Sequence, residues 1–265
     1  MSKTEAELIQ LRAENDALKA LLAQHGIAVT QPSNSNIGDA ALQPNVNELS
    51  PNAKVKLFRR LFRGRDDIYP VRWTSTTTGK SGYSPHCTNK WQPGICKLPT
   101  IKCSECSHSL YAPVTDNIIR QHLRGEITAG VYPLVVDNRC YFLAIDFDEA
   151  DWREDARAVL QTCLDNDLPA ALEISRSGEG AHLWLFFANA TLARDVRRLG
   201  AALISATCAR TRQLALKSYD RLFPNQDTMP KGGFGNLIAL PLQKEPRDLG
   251  RSVFVDANLQ QLPDQ

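Results

Sequence analysis

YFLAIDFD, residues 141–148, is an apolar run that ends in two acidic residues one position apart. A strand turns alternate side chains to opposite faces, so Asp146 and Asp148 face the same way and Phe147 faces the other. Carboxylates about 7 Å apart along one strand face repel each other unless a cation lies between them. Mg²⁺ and Mn²⁺ bind carboxylate oxygens and keep positions open for phosphate, so the pair predicts a divalent-metal site. The alternative is a strand end that enters solvent with both acids hydrated.

The flanking segments indicate the fold class. Apolar residues recur at helical spacing over residues 152–164 and again over 192–204, which predicts two helices packed on a sheet. Residues 170–174 and 183–187 are short apolar runs that predict two further strands. This succession predicts an α/β (α+β) fold with a central mixed or antiparallel sheet and flanking helices.

A turn rich in serine and glycine connects these two strands. It reads SRSGEGAH over residues 175–182 and ends in a histidine where the second strand begins. Small residues let backbone N–H groups approach an anion, hydroxyl groups donate hydrogen bonds, and Arg176 supplies positive charge. The turn therefore predicts phosphate binding without a Walker A pattern. The alternatives are a flexible hairpin loop and, for His182, a core histidine satisfied by a backbone carbonyl.

A third acidic segment follows the second helix. It reads SYDRLFPNQD over residues 218–227. Either Asp220 or Asp227 could complete a site of three carboxylates. Two metal ions held by such acids stabilise the attacking and leaving oxygens of a phosphoryl displacement.

Taken together, these three stretches resemble the signature motifs of archaeo-eukaryotic primases. The resemblance is strongest to the primase domain of TOTE conflict systems, a domain usually joined to a helicase, and it covers about residues 53–265. It implies an RNA-recognition-motif-like catalytic core and metal-dependent nucleotidyl transfer on a nucleic-acid template. A 3′-hydroxyl would attack the α-phosphate of a nucleoside triphosphate and pyrophosphate would leave.

The resemblance also implies a role for each matching residue. Asp146 and Asp148 would bind the catalytic Mg²⁺ or Mn²⁺, and the third acid is assigned to Asp227, with Asp220 left open. Ser175, Ser177 and His182 would contact the triphosphate. The full set of nucleotide-binding candidates is Ser175, Arg176, Ser177, Gly178, Gly180 and His182.

A cluster of cysteines precedes the catalytic half of the chain. The candidate zinc ligands are Cys87, Cys96, Cys103 and Cys106. The last two form a Cys-x-x-Cys, which suits one side of a tetrahedral zinc site, and the absence of a secretory pattern favours metal over disulfides. Free structural thiols are the alternative. Lysines and Trp91 in the same segment suit a single-stranded or primed template. The alternative is a purely structural zinc that stabilises an otherwise weak region.

The chain as a whole has 265 residues and a net charge of +2, so its overall charge does not require nucleic-acid binding. Leucines at heptad spacing predict a coiled-coil-like helix over residues 1–25, with a possible homodimer through it, or a single helix docked elsewhere. A polar stretch over 26–52 predicts a flexible linker. The primase-polymerase domain then covers 53–265, with the zinc segment at 83–110 and the catalytic core at 130–245.

The functional prediction is a DNA primase or polymerase with a possible helicase partner, and the expected location is the cytoplasm. No run of residues is long and apolar enough to predict a membrane span. The competing predictions are a two-metal nuclease and a non-catalytic, zinc-stabilised nucleic-acid-binding module. The sequence does not distinguish ribonucleotides from deoxyribonucleotides, or primer synthesis from primer extension.

Overall fold

The computed structural model describes residues 49–213 and 215–265. The predicted coiled-coil helix over residues 1–25 lies outside these residues. Residues 26–48 of the predicted linker lie outside them as well. The chain divides into two compact units, Met1–Asn45 and Val46–Gln265, and the described residues belong to the second.

Single helices alternate with pairs of strands along most of this second unit. The helices are α1 (Pro51–Leu61), α2 (Asp116–Leu123), α3 (Trp152–Asp165), α4 (Ala193–Thr211) and α5 (Lys244–Asp248), with a short 3₁₀ helix at Cys103–Glu105. The strands are β1 (Pro70–Thr74), β2 (Ser81–Pro85), β3 (Gly130–Val131), β4 (Arg139–Asp148), β5 (Ala171–Ile174), β6 (Gly180–Leu192), β7 (Tyr219–Phe223), β8 (Ile238–Ala239) and β9 (Val253–Val255). Across residues 49–213 and 215–265, none of the helices combines the length and apolar character that crossing a bilayer requires.

The main sheet has five strands in the order β7-β4-β6-β5-β9, and all of its neighbouring strands are antiparallel. β1 with β2, and β3 with β8, form two separate two-stranded ribbons. The predicted α/β class is confirmed, as are the predicted strand through residues 141–148 and the helices on either side of the Ser/Gly turn.

Strand β4 contributes to two apolar clusters, one on each face of the sheet. Leu143, Ile145 and Phe147 are fully buried in the cluster that includes the apolar residues of α3 and α4. Phe142 and Ala144, on the opposite face, belong to the cluster built from α1 and the β3–β8 ribbon. Complete burial of such a side chain stabilises the fold by about 1.5–3 kcal/mol. The alternation confirms that the acids at 146 and 148 share the face opposite Phe147.

Helix α1 covers one end of this second face. The Ser50 hydroxyl accepts a hydrogen bond from Ala53 N at 3.3 Å and Pro51 occupies the first turn, which are common features of a helix start. Phe62, just beyond the helix, packs edge-on against Trp184 of β6 with 5.0 Å between ring centroids. The aromatic packing therefore lies beside the strand positions that carry the acidic residues.

Candidate active site

The two acids of the YFLAIDFD stretch end strand β4, and their neighbours come from the strands on either side. Asp146 lies opposite His182 of β6 and opposite Arg221 of β7. Asp148 lies opposite Gly180. Directly opposed residues on neighbouring strands share a face of the sheet, so acidic and basic groups form one row across it.

A β-bulge brings a third carboxylate into this row. Asp146 pairs with Arg221, whereas the next residue, Phe147, pairs with Tyr219, so Asp220 is the extra residue on β7. Bulges of this kind often lie beside functional sites because they redirect a side chain. The resulting group has one oxygen from each of Asp146, Asp148 and Asp220, all within 4.8 Å of one another. Among the residues that the structure describes, no other three Asp, Glu, His or Cys residues meet this condition.

Burial and neighbouring carboxylates both act on the Asp146 carboxyl group. Burial raises the pKa of Asp146 to about 6; His182 opposes this rise, and the nearby Asp148 and Asp220 reinforce it. Crowded carboxylates of this type fit a hard divalent cation, which prefers oxygen ligands and would neutralise their mutual repulsion. The donor set therefore suits Mg²⁺ or Mn²⁺.

His182 is held between two carboxylates. Its Nδ1 lies 3.0 Å from Oε2 of Glu173 on β5, and its Nε2 lies 3.4 Å from Oδ1 of Asp146. Burial alone would lower the pKa of His182, but Glu173 and Asp146 together raise it to about 9. The structure thus places the imidazole of His182 directly beside the acidic group.

The Ser/Gly segment forms the tight turn between β5 and β6. Ser175 N donates to Gly180 O at 2.9 Å, and Gly178 N donates to Ser175 O at 3.0 Å. The hydroxyl groups of Ser175 and Ser177 are 2.9 Å apart, and the Ser177 hydroxyl also accepts from Glu179 N at 3.2 Å. The hydrogen bonds hold both serines at the same end of the sheet as Asp148.

Gly180 permits the close approach of this turn to the acidic strand. A Cβ atom at this position would lie 2.5 Å from Oδ1 of Asp148 and 2.5 Å from the backbone oxygen of Phe147. Real Cβ atoms do not approach other heavy atoms this closely, so any larger residue would displace the Asp148 carboxylate. The glycine is therefore part of the geometry of the acidic site.

Arg176 connects the turn to the β1–β2 ribbon. Burial raises the pKa of Tyr83 on β2, and Arg176 opposes this rise through its charge and through a hydrogen bond to the phenol. This contact was not foreseen from the sequence, because it joins residues that are far apart in the chain.

A comparison with models of protein families identifies the family of this chain. Residues 53–265 match the family model described as "TOTE conflict system, Archaeo-Eukaryotic Primase domain". The chain belongs to this family. A solved structure, the polymerase domain of Mycobacterium tuberculosis ligase D in complex with DNA, is similar with a TM-score of 0.47 and 14% identity over 78% of this chain and 81% of that one. No curated protein matches the chain.

Within this primase-family domain, Asp227 lies in a different environment from the acidic group. Its carboxylate pairs with Arg197 of α4, and both side chains are partly exposed. Asp220, the other candidate, pairs with the neighbouring Arg221 at 2.5 Å and also joins the group of three. The assignment of Asp227 as third metal ligand stays a prediction, and the distances favour Asp220.

The predicted zinc ligands of the primase-family domain border one pocket, but no three of their sulfur atoms lie within 4.8 Å of one another. None of the four cysteines forms a disulfide bond. The Cys87 sulfur accepts a hydrogen bond from Leu110 N at 3.3 Å. Burial raises the pKa of the Cys103 thiol; Lys90 opposes this rise, and Cys87, Cys96 and Cys106 add to it. A set of four sulfur donors fits zinc by its chemistry.

One residue of the site, Glu173, was missed by sequence reasoning. Glu173 lies within an apolar segment, where a charged residue is itself a sign of a specific partner. Its partner could not be named without the register of the strands. Asp220 was named only as an alternative, since a bulge leaves no visible pattern in a sequence of this kind.

Proposed function

We propose that this chain is a metal-dependent nucleotidyltransferase that makes or extends a nucleic-acid strand on a template, acting as a DNA primase, a DNA polymerase or both. The observation that carries the proposal is the convergence of Asp146, Asp148 and Asp220 beside His182 and the Ser/Gly turn on one face of the sheet. Membership of the archaeo-eukaryotic primase family agrees with it.

The three acids would hold Mg²⁺ or Mn²⁺. Divalent ions at such a site stabilise both the attacking and the leaving oxygens of a phosphoryl displacement. Asp146 and Asp148 come from one strand of the sheet core, so their spacing is set by the backbone before any ion binds. Asp220 supports the same role through its place in the bulge, with Asp227 as the alternative third ligand.

The nucleotide would bind along the turn between β5 and β6. The hydroxyl groups of Ser175 and Ser177 and the imidazole of His182 lie on the side of the acidic group, where a metal-bound triphosphate would extend. Arg176 would add positive charge, and the glycines at 178 and 180 let the backbone approach the ligand. These residues would orient the phosphates and neutralise charge rather than react covalently.

The cysteine segment would carry a structural zinc ion and contact the template. Trp91 is 67% exposed and lies near Lys90, whose ammonium group is 5.9 Å from the indole centroid. An exposed aromatic ring beside a cation suits stacking on an unpaired base next to the phosphate backbone. We retain the domain limits of the sequence prediction as part of the proposal, with a zinc segment at 83–110 and an RNA-recognition-motif-like core at 130–245.

Other partners are proposed on the family resemblance and on the sequence alone. A helicase would act with the domain, and the leucine-patterned residues 1–25 would form a short coiled coil that pairs two copies.

The direct test incubates the pure protein with single-stranded DNA, Mg²⁺ or Mn²⁺ and labelled nucleotides, with and without an annealed primer. The control is the variant Asp146→Ala/Asp148→Ala. New strands that disappear in the variant support nucleotidyl transfer, and the lane without primer separates primase from polymerase. A shortened template without new strands would indicate a nuclease. Template that stays bound and unchanged in every lane would indicate a binding module.

A further inference from the structure

Glu173 is a buried carboxylate whose role is not explained by the acidic group. It lies on β5, is only 1% exposed, and belongs to a strand that reads ALEI. Burying a carboxylate is costly unless hydrogen bonds and an opposite charge compensate for the lost water. The side chains that contact Glu173 therefore indicate which group it positions.

Hydrogen bonds occupy both oxygens of Glu173. Oε2 accepts from Nδ1 of His182 at 3.0 Å and from Nε1 of Trp184 at 2.8 Å. Oε1 accepts from the hydroxyl of Ser252 at 3.4 Å. The indole N–H of Trp184 can only donate, and an oxygen that accepts from both side chains leaves the proton of the His182 contact on Nδ1.

This arrangement also determines the direction of the other ring nitrogen. With Nδ1 bound to Glu173, Nε2 of His182 points at the acidic group and lies 3.4 Å from Asp146. Rotating the imidazole of His182 by half a turn about χ2 would place a C–H group against the Glu173 carboxylate. The hydrogen bond from Nδ1 to Glu173 would then be lost. Trp184 and Ser252 in turn prevent the carboxylate from rotating away.

We infer that Glu173 is a positioning residue that holds the imidazole of His182 with Nε2 directed at the acidic group, where the triphosphate of the incoming nucleotide would bind. The inference rests on the proposed function of the site. The oxygens of Glu173 contact His182, Trp184 and Ser252, so Glu173 acts through His182. The same logic governs metal-ligating histidines whose other ring nitrogen is fixed by a carboxylate, where removal of that partner costs about 10- to 100-fold in metal affinity or activity.

A purely structural role for Glu173 gives different expectations. If Glu173 served mainly to satisfy the buried indole of Trp184, then losing the indole N–H would have the same consequences as losing the carboxylate. Trp184→Phe removes that N–H and leaves the bond to His182 in place, so it is the matched control.

The test measures the nucleotide KM and kcat of four single variants and one double variant. Glu173→Leu should raise KM about tenfold or more with a smaller change in kcat. Glu173→Gln, which keeps an acceptor but no charge, should fall between Glu173→Leu and the wild type, and Trp184→Phe should leave KM close to that of the wild type. In the background of His182→Ala, Glu173→Gln should have no further effect on KM.

Three results would overturn the inference. The first is an unchanged KM in Glu173→Gln. The second is a rise in KM caused by Glu173→Gln that is equally large in the wild type and in His182→Ala. The third is a rise in KM in Trp184→Phe as large as that in the Glu173 variants. Should Glu173→Leu not fold, the Gln variant decides through its coupling to His182→Ala.

A second readout separates this inference from the proposed function. A proton held on Nδ1 of His182 by a carboxylate gives a downfield ¹⁵N-coupled resonance in NMR spectra, independent of any catalysis. It should be present in the wild type and in Trp184→Phe, shift in Glu173→Gln and disappear in Glu173→Leu. A protein that shows this resonance but no nucleotidyl transfer would refute the proposed function alone, whereas a resonance unchanged in both Glu173 variants would refute the positioning role.

Discussion

The acidic group and the cysteine segment are both candidate metal sites, yet they are constructed in opposite ways. The acids lie on long antiparallel strands whose register is set by a buried apolar core. The segment over residues 86–111 has only the 3₁₀ helix Cys103–Glu105 and an isolated bridge between Cys87 and Tyr111. Among its described side chains, none is buried.

The fold itself determines the geometry of the acidic group, whereas a bound ion would have to determine the geometry of the cysteine segment. Backbone pairing and core packing keep Asp146 beside Asp148 and His182 whether or not a cation is bound. The cysteine segment lacks a core of its own, so zinc would contribute much of its stability. Loss of metal should therefore abolish activity at the acidic group without unfolding the sheet. In the cysteine segment it should cause unfolding.

The largest effect is expected from the third acid of the sheet site. Asp220→Asn should lower the rate of nucleotide addition at least about a hundredfold, since metal-ion stabilisation of the transition state amounts to several kcal/mol. Asp227→Asn should leave the rate nearly unchanged and reduce stability by about 1 kcal/mol at most, because its pair with Arg197 is partly exposed. Primer-extension rates measure both. The opposite ranking would make Asp227 the ligand.

Gly180→Ala tests whether the sheet geometry itself is essential. The added methyl group would meet the Asp148 carboxylate, so we expect destabilisation of about 1–3 kcal/mol together with a clear loss of activity. Denaturant unfolding and primer extension measure the two effects. Gly233→Ala is the control, since an added Cβ atom there would lie 3.1 Å from a side-chain atom of Pro230, a contact relieved by a shift of a few tenths of an ångström. Equal behaviour of the two variants would contradict the close-approach argument.

The double variant Cys103→Ala/Cys106→Ala tests the cysteine segment. Elemental analysis should find about one zinc ion per wild-type chain and almost none in the variant. Hydrogen exchange should accelerate over residues 86–111 and stay unchanged in β4, because the two regions draw on different sources of stability. Zinc-free wild-type protein would contradict a zinc site in the cysteine segment. Faster exchange throughout the sheet would contradict separate sources of stability for the segment and the sheet.

The smallest effect is expected where the β1–β2 ribbon contacts the nucleotide turn. Tyr83→Phe removes the phenolic hydroxyl group that interacts with Arg176, which should cost about 0.5–1.5 kcal/mol of stability and raise the nucleotide KM only a few-fold. Thermal unfolding and steady-state kinetics measure these changes. A loss as large as that of Asp220→Asn would mean that the ribbon belongs to the catalytic site itself.

Much of the fold could be predicted from local patterns, whereas the site could be predicted only in part. Alternation in residues 141–148 correctly placed Asp146 and Asp148 on one face, because strand geometry alone determines it. The place of Asp220 depends on a bulge, and the role of Glu173 depends on which residue of β6 lies opposite it. Strand register arises from tertiary packing, so neither could be obtained from the sequence of one segment.

The most direct test of the central claim is an electron paramagnetic resonance titration of Mn²⁺ in the presence of a nucleoside triphosphate. The wild type and Asp227→Asn should bind the ion with similar affinity, whereas Asp146→Asn/Asp148→Asn should bind far more weakly while keeping the same circular dichroism spectrum. Binding that is unchanged in the double variant, or lost only in Asp227→Asn, would contradict a metal site at the end of β4.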